Sequence, residues 1–313
     1  MYEKGDAMKG VPKDRNWLRW IEKESTQGYL MIAPNSIGLL VFYIIPILWS
    51  VLLAFHQWDG LSAMEWAGIN NFRVLVEDVN FLSALRNTAV YTALVVPAIL
   101  LLVLSFGMLL AHDVLAVTRH LRTLYFLPLM TMPVAAALVW KWLLNMRFGL
   151  VNRVLAGLGI DPVPWLSSSS YVLYSIVFIG IWLGVAYNLI VIIAGIRGIP
   201  RGYYEAAEID GASGLDRFFR ITLPLLTPSI FFILVTQLIT CFQVFDTAFV
   251  ILGSDPPGSL HRAGSTVVMS IYEQGFVFFN MGYSSAQAVV LFAVVLSITI
   301  GQFSFQKRWV HYG

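Results

Sequence analysis

Charge is scarce in this sequence. Only 12% of its 313 residues are Asp, Glu, Lys or Arg, and 58% are hydrophobic, against roughly 25% and 45–50% in a soluble domain. A water-soluble globule is therefore excluded, and a domain count based on soluble proteins does not apply. Cysteine is nearly absent: the one thiol, Cys241, lies in an apolar run. Neither a disulfide framework nor a thiolate metal site can form, and a small buried side chain is expected there. No Gly-Lys pair occurs, which removes a phosphate-cradling P-loop and ATP hydrolysis by that route. The histidines, His56, His112, His120, His261 and His311, show no zinc-ligand spacing, and no Gly-x-Ser-x-Gly elbow is present. No metal or other cofactor is expected in this chain. The first 28 residues lack the apolar core and cleavage site of a secretory signal, so nothing there is expected to be removed. With a net charge of +2, nothing points to nucleic acid.

What is present is a series of long apolar runs. Six blocks reach the ~20 residues that a bilayer core demands: Tyr29 to Phe55, Thr88 to Ala111, Leu124 to Leu144, Tyr171 to Ile196, Leu225 to Leu252 and Ser284 to Phe305. The spacing predicts an all-α, polytopic membrane protein with six transmembrane helices. Pro34, Pro46, Pro97, Pro128, Pro133 and Pro228 are expected to kink these helices or to lie near their ends. Cations are unevenly shared between the connections. Lys4, Lys9, Lys13, Arg15, Arg19 and Lys23, then Arg119 and Arg122, then Arg197, Arg201, Arg217 and Arg220, then Lys307 and Arg308 fall on one side. The other has only Arg73, Arg86, Arg147, Arg153 and Arg262. The first side is expected to be cytoplasmic, with both termini. Ahead of the first span, Trp17, Leu18, Trp20 and Ile21 suit a short helix at the membrane interface, or one packed on the bundle. Lys141 stands alone inside a span, between Trp140 and Trp142. Snorkelling to an aromatic belt and contact with substrate are both open to it.

Between the fourth and fifth blocks runs a stretch with a punctuation of its own, from Ile199-Pro200-Arg201-Gly202 to Ile221-Thr222-Leu223-Pro224. Pro200 suits a first helical turn and Gly211 the residue just past a helix end. Between them Tyr203, Ala206, Ala207 and Asp210 recur at helical spacing. They make a face that is small in its middle, open to close approach by another surface.

The pattern Glu205-Ala206-Ala207, then Gly211 after three residues, then Ile221, Leu223 and Pro224, resembles the cytoplasmic EAA loop of permease subunits of binding-protein-dependent ABC importers. The segments around Trp58-Asp59-Gly60, Trp66 to Phe72, Phe148 to Asn152, Gly157 to Trp165, Ile271 to Phe276 and Met281 to Tyr283 resemble the family's outer connections. Ser254-Asp255-Pro256-Pro257-Gly258 departs from the family's Gly-Gly-Pro turn. The resemblance implies an ABC type I importer permease fold. It assigns residues 1–28 to a cytoplasmic segment, 29–305 to a permease domain with its coupling helix at about 200–213, and 306–313 to a cytoplasmic tail. Glu205, Ala206, Ala207, Asp210 and Gly211 are then the ATPase-coupling residues. The implied partners are a second permease subunit, two ATPase subunits that bind the ATP and Mg, an extracytoplasmic solute-binding protein, a sugar substrate and the lipid bilayer. The implied location is a bacterial or archaeal cytoplasmic membrane.

Polar side chains at mid-membrane depth are costly enough to point to function. In the fifth block Gln237, Thr240, Gln243 and Asp246 follow at three-residue spacing, a slowly winding stripe on one helix. Amide, hydroxyl and carboxylate groups supply both donors and acceptors for sugar hydroxyls. Thr240, Gln243 and Asp246 are read as lining the pathway. Gln237 is open equally to that role and to bonding a neighbouring helix. In the fourth block Trp182-Leu183-Gly184-Val185-Ala186-Tyr187-Asn188 resembles the maltose-type permease, which assigns Leu183, Gly184 and Tyr187 to the sugar site. A tyrosine ring can pack on a sugar face while glycine leaves room. A gradient-driven secondary transporter is the alternative, and it calls for ionisable residues deep in several spans.

Overall fold

The computed structural model describes residues 24–111, 129–253 and 258–310. The interfacial helix around Trp17, Pro128, and the turn at 254–257 lie outside those residues. Two units are distinguished, residues 1–52 and 53–313. The first is the greater part of the helix Glu24–Leu53 (α1), which is apolar and long enough to span a bilayer. It contains Pro34 and a π turn over Leu40–Ile44, where the Ile45 amide donates to the Leu40 carbonyl just ahead of Pro46. A π turn at that place lets the helix continue past a residue that has no N–H to give.

In the second unit, α2 (Asn70–Glu77), α3 (Val79–Ala111), α4 (Pro133–Leu143), α5 (Leu150–Gly157), α6 (Val172–Gly198), α7 (Arg201–Ile209) and α8 (Gly214–Arg217) come first. Then follow α9 (Thr227–Phe242), α10 (Asp246–Leu252), α11 (Ser259–Gly264), α12 (Val267–Tyr272) and α13 (Met281–Gln306). The only strands among the described residues are the two-residue pair His56–Gln57 and Glu65–Trp66, antiparallel with His56 opposite Trp66. Five stretches are apolar and long enough to cross a membrane, and α4 is a shorter apolar helix.

Three spans differ from the sequence expectation. The second begins at Val79, not Thr88, because Phe81 and Ala84 bury the inner face of a turn that Asn80, Arg86 and Asn87 make polar outside. Within its described part the third is broken at Thr131–Met132: Met132 precedes Pro133, is held extended at φ −67°, ψ 137°, and α4 starts on that proline. The fifth is two helices, with a break at 243–245.

The core is built on α3 and α6. Tyr91, Val95, Ile99 and Val103 recur every fourth residue along α3 and share one buried cluster with Ile176, Ile179, Leu189 and Ile192 of α6 and Ile230 and Ile233 of α9. Small residues set the distance between the first two helices. A Cβ at Gly180 would overlap the Tyr91 hydroxyl, one at Gly184 would overlap Ile99 Cδ1, and one at Gly107 would stand 2.6 Å from Ile192 Cγ2. Lipid tails are as apolar as leucine, so helices in a bilayer gain from such close packing more than from exclusion of water. A second cluster, with Leu75, Phe81, Phe242, Val267, Ala286 and Leu291, lies at the end of the bundle away from α7, under the short elements.

Candidate functional site

Leu183, Gly184 and Tyr187 of α6 and Thr240, Gln243 and Asp246 of the α9–α10 segment line one cavity of about 370 Å³. Gln237 lines it as well, and its amide makes no hydrogen bond to another described residue. Tyr91, Thr236 and Cys241 complete much of the polar wall. Cys241 is buried and free. Tyr187, Thr240, Gln243 and Asp246 are exposed to the cavity, whereas Gln237 is 8% exposed. The space left by the absent side chain of Gly184 is filled by Ile99, so this glycine serves the approach of α3. Thr240 gives its hydroxyl to the Thr236 carbonyl at 2.9 Å, which leaves its oxygen free to accept.

The break between α9 and α10 turns a straight stripe into a corner. Three-residue spacing on one continuous helix would wind Gln243 and Asp246 away from Gln237. Instead Gln243 ends α9 and Asp246 opens α10, and both remain on the cavity wall. One side chain from elsewhere holds the corner, and another holds the far end of α10. Thr266 Oγ1 donates to the Val244 carbonyl at 2.8 Å, and Lys141 Nζ donates to the Val250 carbonyl at 2.6 Å. Lys141 is thus bound to the last turn of α10, where carbonyls lack helical partners; it does not line the cavity. Tyr91, which meets Gly180, and Thr266 carry no motif that would single them out in the sequence.

At the other end of α6 stands the Glu205 loop. Pro200 is the residue before α7, extended at ψ 131°, and not part of its first turn. Gly211 adopts φ +74°. Its N–H bonds to the Glu208 carbonyl and that of Ala212 to Ala207, a Schellman end that closes the helix. Ser213 and Asp216 then form a reciprocal capping box on α8. Those bonds, from the Ser213 hydroxyl first and its N–H second, hold the Asp216 carboxyl below the usual carboxylate range. Glu205, Ala206, Asp210 and Gly211 are exposed and Ala207 is half-buried. Tyr203, Ile209, Leu215 and Phe219 are exposed apolar side chains on the same loop. Glu205 makes no ion pair with a described residue, whereas Glu208 reaches Arg217 at 3.7 Å. Tyr204 turns the other way. Its hydroxyl meets Thr222 Oγ1 at 2.9 Å, and its ring packs on the main core.

At the opposite end, buried amides tie the short elements down. Asn152 gives Nδ2 to the carbonyls of Met146 and Val163 and takes the N–H of Val163 and Nε1 of Trp165. Asn71 donates to the carbonyls of Ala54 and His56. The stretches Phe148 to Asn152 and Gly157 to Trp165 therefore form one clamp. Among the described residues no group of three His, Cys, Asp or Glu is placed to hold a metal ion.

A helical bundle with a polar cavity within its spans and a small exposed helix at one end is a membrane transport component. The chain belongs to the family of binding-protein-dependent transport system inner membrane components, which matches residues 80–311. It is 35% identical over 312 residues to the probable ABC transporter permease protein YesP of Bacillus subtilis, covering 98% of this chain and 96% of that one. To the sn-glycerol-3-phosphate transport system permease protein UgpA of Salmonella typhimurium it is 35% identical over 289 residues, covering 91% and 95%. Among solved structures it is similar to a chain of a bacterial ABC transporter involved in the import of the acidic polysaccharide alginate. That match has TM-score 0.79 and 25% identity, and covers 94% of this chain and 99% of that one. The chain is a multi-pass inner-membrane permease, and no observation favours the gradient-driven alternative.

Proposed function

We propose that this permease carries a sugar or sugar derivative, delivered by an extracytoplasmic binding protein, through the cavity between α6 and the α9–α10 corner. The convergence of Leu183, Gly184, Tyr187, Thr240, Gln243 and Asp246 on one cavity carries the reading. An aromatic ring, amides, a hydroxyl and a carboxylate together are the donor and acceptor set that sugar hydroxyls need. Support also comes from the relatives, whose names include sn-glycerol-3-phosphate transport and alginate import. The cation bias puts both termini and the Glu205 loop in the cytoplasm, where ATP is. There Ala206 and Ala207 let an ATPase subunit approach the α7 backbone, and Glu205 offers a carboxylate to an arginine of that subunit. ATP and Mg are bound by two such subunits, and a second permease completes the translocation path.

Uptake of labelled sugar into vesicles holding the complete transporter tests this. Asp246→Asn together with Gln243→Ala is expected to lower sugar uptake by about tenfold to a hundredfold, the loss of one or two hydrogen bonds to a bound ligand, while the subunits still assemble. Unchanged uptake in the assembled double variant would remove the cavity from the path.

A further inference from the structure

A second cavity, of about 630 Å³, lies at the end of the bundle away from α7. Arg86 and Asn87 of α3, Ser169, Ser170 and Tyr174 at the start of α6, and Arg262 of α11 are among its lining residues. Its composition is unusual for this molecule. Five arginines fall in the connections at this end, and two of them share one groove with three serine hydroxyls besides Ser83 and with no carboxylate. Neither Arg86 nor Arg262 makes an ion pair with a described residue. Asn87 fixes the backbone that presents Arg262, because its Nδ2 donates to the carbonyls of Arg262 and Ser265 at 2.8 and 3.0 Å. Two guanidiniums held at one groove repel each other unless an anion lies between them. Planar, multiply donating cations beside hydroxyls suit the oxygens of a phosphate.

The depth of the groove says where that phosphate comes from. A hydrocarbon core of about 30 Å takes about 20 helical residues at 1.5 Å each. Counted back from Ile196, beside Arg197, those residues end near Val177. Tyr174 then stands about 4.5 Å beyond the edge, inside the headgroup layer, which is about 5–7 Å thick. Gly180 of α6 packs against Tyr91 of α3, and Arg86 is five residues farther out on that helix, which runs parallel to α6. This puts Arg86 about 3 Å beyond the same edge. Tyr174, 58% exposed, has the amphipathic ring favoured at that level. We infer that the groove is a binding site for the phosphodiester headgroup of an anionic phospholipid, held by Arg86 and Arg262. The inference uses only the bilayer-spanning fold and is independent of the cargo and coupling assignments above.

The complete transporter, purified with its co-expressed subunits from nanodiscs of equal phosphatidylglycerol and phosphatidylcholine, is the material for the test, and native mass spectrometry counts the retained lipid. The wild type is expected to keep phosphatidylglycerol and lose phosphatidylcholine. R86Q/R262Q lowers the retained phosphatidylglycerol by about tenfold or more, on the scale of two interfacial cations. S170W, which fills the groove without changing charge, carries the same expectation if the double variant does not assemble. Equal retention of both lipids by the wild type overturns the inference, as does undiminished retention by the assembled variants. Saturable binding of inorganic phosphate that R86Q/R262Q abolishes while lipid retention stays unchanged identifies a soluble oxyanion as the ligand and overturns it too. So does weakened association of the binding protein with R86Q/R262Q while lipid retention is unchanged.

Discussion

Single residues at the end of this bundle away from α7 do their work through backbone partners. Asp59 is fully exposed, yet its Oδ1 accepts the N–H groups of Ser62 and Leu61 and the Ser62 hydroxyl at 2.7–2.9 Å. These bonds, the Ser62 N–H foremost, lower its pKa to about 2 from an ordinary 3.8. A carboxyl depressed in the folded state favours that state above its ordinary pKa, and the contribution is lost as pH falls through the depressed value. The protection of the Leu61 and Ser62 amides, measured against their intrinsic exchange at each pH, is therefore expected to hold from neutrality down to pH 4 and to fall toward pH 2. In Asp59→Asn it should be lower at neutral pH and show no step there; a step retained in that variant would assign the titration to another group. Asn152 is the buried counterpart. Replacing it with alanine orphans the Val163 N–H and the Trp165 indole, at a cost of about 1–3 kcal/mol. A thermal melt of the detergent-solubilised Asn152→Ala transporter within 1 °C of the parent would show that the clamp carries no stability.

At the scale of elements, the fit of α3 to α6 is the most exposed to small changes. Gly180→Ala puts a methyl where the Tyr91 hydroxyl now sits, and Tyr91, 4% exposed, can give way only by shifting its ring along the wall of the cavity that it lines. Overpacking of this kind costs about 1–3 kcal/mol. Tyr91→Phe removes the clashing oxygen, so adding it to Gly180→Ala is expected to recover part of the lost thermal stability; a double variant no better than Gly180→Ala alone would place the strain elsewhere. The same scale explains what could be read beforehand. Hydropathy located the spans because each has to cross lipid on its own, and Gly211 marked the end of α7 because only glycine enters φ +74° without strain. The polar identities of Gln243 and Asp246 were legible, but the corner between them was not. No glycine or proline marks 243–245, and the side chain that bonds it, Thr266, comes from 22 residues away, while Lys141, which bonds the far end of α10, comes from 109. The first turns of α3 were hidden for a related reason: Arg86 and Asn87 are polar by composition and helical by tertiary contact.

For the whole molecule, connectivity ties the loop at one end to the cavity within the spans. α6 and α9 carry Tyr187 and Thr240 on the cavity wall, and they are also the two helices that the Glu205 loop joins. Tyr187 is about 17 Å along α6 from Gly198, and Thr240 is about 20 Å along α9 from Thr227. If α7 takes the push proposed above, these two helices are the route to both walls, and the Tyr204 hydroxyl ties the loop to Thr222. Coupling by such a lever needs a grip at the exposed face and a rigid base behind it. Glu205→Ala is expected to weaken the grip and leave the base intact: ATP hydrolysis and sugar uptake lose their fixed ratio, uptake falling by about tenfold or more, as for a buried charge-assisted contact of about 1.5–3 kcal/mol. Tyr204→Phe, which removes only the tether to Thr222, should retain ATPase association but lower uptake. Comparing ATP consumed with sugar accumulated in the same vesicles separates the two. A Glu205→Ala transporter that keeps the wild-type ratio at full uptake would mean that force enters the bundle somewhere other than α7.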